Sequence, residues 1–278
     1  MSDGVIPKID VRNVFKVFGK REKEALALIK SGKSKDEVLA ETGSVVAIND
    51  LSLSIHAGEI FVIMGLSGSG KSTLVRHFNR LIDPTSGQIL VEGKNILEYD
   101  MPALRQFRRQ KISMVFQSFG LLPHRNVLDN VAYGLKVRGE SQAQCHERAR
   151  HWISMVGLQG YEQAFIHQLS GGMRQRVGLA RALATDTDII LMDEAFSALD
   201  PLIRAEMQDQ LLELQRTLQK TIVFITHDLE EALRIGHRIA ILKDGQLIQV
   251  GSPQDILQFP ADDYVGRFVQ RHHAHARH

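Results

Sequence analysis

Gly65-Leu66-Ser67-Gly68-Ser69-Gly70-Lys71-Ser72 is the stretch on which the reading of this chain turns. It matches the pattern G-x-x-x-x-G-K-S/T in full, and Thr73 follows it. Its surroundings fit as well. The apolar run Ile60-Phe61-Val62-Ile63-Met64 before it suits a buried parallel strand, and the pattern after it predicts a helix over 71–81. A polyphosphate carries several negative charges at close range. Successive backbone N–H groups can face it only where the chain turns tightly, which the glycines permit. The helix N-terminus adds positive potential. Lys71 then pairs with the β- and γ-phosphates, and Ser72 offers a hydroxyl to Mg2+. Motif and context together set the stretch apart from an ordinary glycine-rich turn.

Working outward, residues 9–14 and 45–55 read as strands, the second with Leu51, Leu53 and Ile55 alternating. Between them, residues 20–43 are rich in Lys and Glu. Ala25, Leu28 and Ile29 make one apolar stripe at helical spacing, and Val38 and Leu39 a shorter one. This predicts two short amphipathic helices joined at Ser31-Gly32-Lys33-Ser34 and inserted into a sheet edge. Downstream of the loop, a turn at 83–87 leads to strands at 88–91 and 112–116. Residues 126–160 carry helical periodicity, with Val127, Val131 and Leu135, then Ala149, Trp152, Ile153 and Val156. Strands at 188–192, 221–225 and 238–242 then alternate with helices at 201–218 and 228–236. That rhythm predicts a mostly parallel sheet with helices on its faces, interrupted by a helical subdomain. Two helices, at 253–259 and 261–270, close the chain.

Composition sets wider bounds. With 278 residues, 44% apolar and 24% charged, the chain can bury one large domain, alone or with a small lobe. A net charge of +2 is small against 34 basic and 32 acidic side chains, so composition argues neither for nor against a nucleic-acid partner. The one cysteine, Cys145, excludes an internal disulfide framework, suits a reducing cytoplasm and reads as a free thiol on a helix. No signal-type apolar run opens the chain, and no stretch approaches the roughly 20 apolar residues of a membrane span. Any membrane role is therefore expected to come through a partner. The tail 271–278 holds four of the 12 histidines and reads as a solvated end rather than a metal site.

Two further clusters carry chemistry. Ile189-Ile190-Leu191-Met192-Asp193-Glu194 is an apolar strand ending in two acids. Asp193 is placed to hold Mg2+ through water, and Glu194 to polarise an attacking water. Leu169-Ser170-Gly171-Gly172 opens a helix running to Leu183, with Ser170 as a good N-cap and two glycines leaving N–H groups open. This is a second anion site, and one nucleotide does not need two cradles. The economical explanation is that the second caps the γ-phosphate of a nucleotide held by another copy.

These residues, in this order, resemble the ABC ATPases over about residues 11–250. The resemblance implies a P-loop NTPase core with a mostly parallel sheet, an antiparallel β subdomain and an α-helical subdomain. It implies an ATPase domain over 1–251, with the insert at 20–43 and a helical subdomain at about 118–185. Short helices and the histidine-rich tail would occupy 252–278. It also implies ATP and Mg2+ as cofactors. Gln117 resembles the Q-loop glutamine, which contacts Mg2+ and the attacking water and senses the membrane subunit. Ser197-Ala198-Leu199-Asp200 resembles the D-loop at a dimer interface, placing Asp200 near nucleotide. His227 resembles the switch histidine at the γ-phosphate. Each site of a head-to-tail homodimer would take Lys71, Ser72, Gln117, Asp193, Glu194 and His227 from one copy, and Ser170 and Gly172 from the other. Residues 117–124, with Phe119, Leu121 and Leu122, either receive a helix of the membrane subunit or pack in the core.

Finer features resemble importers of quaternary amines such as glycine betaine, proline betaine, choline or carnitine. Phe15-Lys16-Val17-Phe18-Gly19 followed by the charged insert is one. Ala195-Phe196 after Glu194, where most of the wider family carries proline, is another. The partners implied are integral membrane permease subunits and a periplasmic or lipid-anchored substrate-binding protein, with no nucleic acid. The location implied is the cytoplasmic face of the bacterial inner membrane. Some members carry C-terminal regulatory domains; none is expected here. Phe18 either stacks on adenine or is an edge-strand aromatic in the core. A soluble ABC ATPase is disfavoured by the single cassette, and an exporter or lipid-extraction ATPase by the insert and Ala195-Phe196. A non-catalytic subunit is disfavoured by intact Lys71, Asp193, Glu194 and His227.

Overall fold

The computed structural model describes residues 6–117, 120–197 and 199–275. In chain order the first elements are β1 (Ile9–Phe18), α1 (Glu22–Lys30), α2 (Lys35–Thr42), β2 (Val45–Ile55), β3 (Ile60–Met64) and α3 (Lys71–Phe78). Next come β4 (Ser86–Val91), β5 (Lys94–Asn95), α4 (Met101–Gln110), β6 (Ile112–Val115), α5 (Val127–Val131), α6 (Tyr133–Arg138) and α7 (Gln142–Met155). Then follow α8 (Gly171–Ala184), β7 (Ile189–Asp193), α9 (Pro201–Leu218), β8 (Thr221–Thr226) and α10 (Leu229–Ile235). The last are β9 (Arg238–Lys243), β10 (Gln246–Gly251), α11 (Pro253–Gln258) and α12 (Asp263–His275). They gather into two compact units, Met1–Asp100 with Ile225–His278, and Met101–Phe224.

In the first unit β1 pairs antiparallel with both β2 and β4, in the order β2-β1-β4-β5. Ile9, Val11, Val14 and Val17 of β1 are buried, and Asn13 takes a left-handed φ of 46° where the register shifts. Such a bulge lets Val14, Phe15 and Val17 all turn inward on one strand. A second layer places β9 between β10, antiparallel, and β3, parallel, with Phe61 opposite Arg238 and Met64 opposite Ile241. All five residues of β3 are buried, as a run without alternation requires.

The insert folds as two short helices. Ser34 and Glu37 form a reciprocal capping box that starts α2, and Gly43 ends it in a left-handed turn. Ala25, Ile29 and Val38 pack on Phe15, Val17 and Val46. Arg21 Nη1 donates to the carbonyl of Glu41 at 2.8 Å, tying the ends of the two helices. At about 1.5–3 kcal/mol per large apolar side chain buried, this patch outweighs the surface ion pairs of the insert.

In the second unit β6 and β7 run parallel, Ile112 opposite Ile189 and Val115 opposite Met192, and β7 lies between β6 and β8. Helices α5, α7 and α8 pack against one another, and Val127, Val131, Ala149, Ile153, Val177 and Ala180 on them are buried. Cys145 lies fully buried and free on α7.

Several bounds differ from expectation. The helix after the phosphate loop ends at Phe78, because Arg80 turns left-handed (φ 54°) and sends its guanidinium to the carbonyls of Ile96 and Tyr99. β1 runs on to Phe18, and α12 extends past residue 270. α4 and β10 carry no expectation from sequence. Phe119, Ala198 and the side chains of the histidine-rich tail lie outside the described residues. Among the described residues no helix is long and apolar enough to cross a membrane.

The insert patch generates a prediction. Ile29→Ala removes a buried side chain at the rim of that cluster and is expected to cost about 2 kcal/mol in urea denaturation. Leu39→Ala, at an exposed position, is expected to cost little in the same measurement.

Candidate nucleotide site

β3 delivers the chain into the loop at Gly65, and α3 begins at Lys71. Gly70 sits at φ 96°, and a Cβ there would stand 2.7 Å from the carbonyl oxygen of Ala47. Only glycine meets both conditions. The loop is held from behind by backbone. Gly245 N–H, in the β9–β10 turn, donates to Ser69 O at 3.0 Å, and Asn49 N–H donates to Gly245 O at 2.9 Å. Lys71 is buried and curls over its own loop, its Nζ donating to Gly65 O at 2.9 Å and Leu66 O at 3.1 Å. Ser67 and Gly68 form the exposed crest. Ser69 Oγ is buried without a hydrogen-bond partner. Ser72 and Thr73 lie in the first turn of α3, at its positive end. An open glycine crest, a lysine at the mouth and an unpaired hydroxyl fit a polyphosphate.

The second unit assembles the acids. Asp193 ends β7 and is 3% exposed. Glu194 follows at a left-handed φ of 45°, and its carbonyl accepts from Ser197 N–H at 3.2 Å and Ser197 Oγ at 2.9 Å. Because β6 runs parallel to β7, both strands end at the same edge, where open α/β sheets bind ligands. Gln117, just beyond β6, donates through Nε2 to Glu194 Oε2 at 3.3 Å. Among the described residues no cluster of three or more His, Cys, Asp or Glu gathers to hold a metal.

Ser170 caps α8, its Oγ accepting from Met173 N–H at 3.3 Å, so Gly171 and Gly172 form the first turn. A Cβ on Gly172 would lie 2.6 Å from Ile203 Cγ2, so a larger residue there would push α8 off α9. Tyr161, Ser170, Gly172, Arg176 and Ile203 line a cavity of about 210 Å3 beside this turn. Asp200 caps α9 through Ile203 N–H at 3.1 Å, with Pro201 at the first helical position. Arg204 Nη2 fastens the turn before it, donating to Leu199 O at 3.0 Å.

In the first unit, His227 is exposed directly after β8, and Asp228 caps α10. Phe18 ends β1 opposite Val45, 40% exposed, with Lys16 Nζ 4.8 Å from its ring centroid. It is therefore not a core aromatic; that place belongs to Phe15. The supports behind the loop, the turn at Asp244-Gly245 and a tyrosine on α12, had no signal in the sequence.

Known proteins identify the family of the chain. The ABC transporter family model matches residues 48–197. The chain is 55% identical over 263 residues to the glycine betaine transport ATP-binding protein OpuAA of Bacillus subtilis (strain 168), covering 95% of this chain and 63% of that protein. It thus spans less than two thirds of OpuAA's length. It is 52% identical over 264 residues to the trimethylamine N-oxide transport system ATP-binding protein TmoW of Ruegeria pomeroyi, covering 95% of this chain and 77% of that one. The dimeric post-hydrolysis structure of the ATP-binding cassette MJ0796, bound to ADP and Pi, superposes with a TM-score of 0.74 at 32% identity, over 88% of this chain and 98% of that one. With the family model over more than half of its length and relatives above 50% identity, the chain belongs to the ABC transporter family.

Proposed function

We propose that this chain is the ATP-hydrolysing subunit of a bacterial importer, working as a homodimer that energises uptake of a quaternary ammonium or methylamine osmolyte. Glycine betaine, choline and carnitine are the candidate solutes. The hydrolytic half of the reading rests on one observation above the others. Gln117 and Glu194 meet at the carboxyl ends of two parallel strands, one residue beyond the buried Asp193. The solute class is supported by the names of OpuAA and TmoW, a betaine and an amine-oxide transport protein. The dimer is supported by the paired cassettes of MJ0796.

Bound MgATP supplies the phosphoryl group whose transfer to water is the reaction. In this reading Lys71 and the loop N–H groups would hold the β- and γ-phosphates, and Ser72, Gln117 and Asp193 would hold Mg2+. Glu194 accepts a hydrogen bond from the attacking water, and Gln117 aligns that carboxylate. His227 contacts the γ-phosphate, and Phe18 offers an exposed face to adenine. Asp200 acts at the dimer contact through the turn it anchors. Ser170, Gly171 and Gly172 complete the site of the opposite copy. Both cradles are satisfied only in the closed dimer, and going from mostly open to mostly closed takes about 5.5 kcal/mol. Several charge-assisted hydrogen bonds of about 1.5–3 kcal/mol each reach that sum. The permeation path then belongs to integral membrane permease subunits, fed by a periplasmic or lipid-anchored binding protein. The chain docks as a peripheral subunit at the cytoplasmic face of the inner membrane.

Glu194→Gln is expected to lower ATP turnover by about a hundredfold or more while leaving ATP binding intact, and to trap a dimer in light scattering with ATP and Mg2+. Normal turnover rejects Glu194 as the base, and a monomer under those conditions rejects the sandwich. A mixing experiment separates one-copy from two-copy sites. Lys71→Ala and Ser170→Arg are each expected to be inactive, yet together to recover part of the ATPase rate, since one site of the mixed dimer is then intact. No recovery on mixing counts against shared sites. Uptake of labelled betaine, choline, carnitine and trimethylamine N-oxide, with and without the chain, tests the solute class.

A further inference from the structure

The phosphate loop is tied to a helix far along the chain. Tyr264, near the start of α12, is buried with its hydroxyl between two backbone groups. It accepts from the N–H of Leu66 at 3.3 Å and donates to the carbonyl of Leu242, on β9, at 3.2 Å. Its ring meets Phe268 edge-on, centroids 5.2 Å apart, with Lys243 Nζ 5.1 Å above it. Leu66 is also the residue whose carbonyl accepts from Lys71 Nζ. One loop residue is thus held through its N–H by α12 and through its C=O by the lysine that faces phosphate.

The hydroxyl is not what seats the helix. Val265 and Val269 are buried on its inner face, and Asp262 Oδ1 accepts from Val265 N–H at 2.9 Å. Burial pushes the Tyr264 phenol above its ordinary range, so it stays a donor to Leu242 throughout neutral pH. We propose that Tyr264 is a positioning residue for the phosphate loop, holding Leu66, and through it Lys71, in the geometry that receives ATP. Docking of α12 thereby sets nucleotide affinity. This rests on the ATP-binding reading above. Removing the hydroxyl leaves the Leu66 N–H without this partner and lets the loop relax, and the cost of re-ordering it falls on binding.

Tyr264→Phe keeps the ring and deletes the two hydrogen bonds. In the nucleotide-free chain, the melting temperature is expected to hold while amide hydrogen exchange over residues 65–72 speeds up. In equilibrium dialysis the Kd for ATP is expected to rise roughly three- to tenfold, the scale of one hydrogen bond, with KM following and kcat nearly unchanged. Phe268→Leu trims the ring contact without touching the hydroxyl and is expected to leave Kd in place. Unchanged exchange and Kd in Tyr264→Phe overturn the inference. So does an equal rise in Phe268→Leu, or a fall in melting temperature and kcat together, since each marks a packing role only. If the unaltered chain binds no ATP in dialysis, the functional reading fails and this inference with it.

Discussion

The structure depends on keeping a row of backbone N–H groups exposed in a loop with almost no side chains to support it. Such a loop collapses unless something outside holds it. Here the hold is backbone to backbone, Gly245 to Ser69 and Asn49 to Gly245, with Tyr264 on the other flank. Each hydrogen bond contributes only about 1 kcal/mol net, so rigidity comes from their convergence on a few residues. The buried strand β3 fixes where the loop starts, and β9 beside it supplies both the turn and the Leu242 carbonyl.

The second unit solves a different problem, that of placing carboxylates. Parallel pairing of β6 with β7 puts Gln117 and Glu194 at a common edge, though 77 residues part them. The left-handed turn at Glu194 then swings the chain into Ser197 and on to the cap at Asp200. Strain at one non-glycine residue is tolerated because Ser197 answers its carbonyl twice. On α8 the cap belongs to Ser170 itself, so the residue that opens the helix also faces the pocket beside it.

Where local chemistry is strong, the sequence is legible to the residue. β2 spans 45–55 as its alternation predicts, and α9 spans 201–218 between the Asp200-Pro201 start and a left-handed Gln219. The phosphate loop, the acids of β7 and the Ser170 cap are legible for the same reason: each is a short pattern with its own physical logic. α4 was not, because only Leu104 and Phe107 are buried in a run otherwise rich in Arg and Gln. β10 was not, because none of its residues is fully buried and no alternation marks it. The link of Tyr264 to Leu66 spans 198 residues, and no local pattern encodes a contact that tertiary folding alone creates. The start of α9 is equally local, since the Asp200 carboxylate accepts from Ile203 N–H three residues on.

Cys145 is sealed inside α7 and is the one cysteine of the chain. Its native thiol is therefore silent toward water-borne maleimides while the fold is intact. A cysteine introduced at an exposed place, such as Leu202 or Met101, becomes a lone chemical handle without any prior mutation of the interior. Spin labels or fluorophores can then be placed on a chain whose packing has been left untouched.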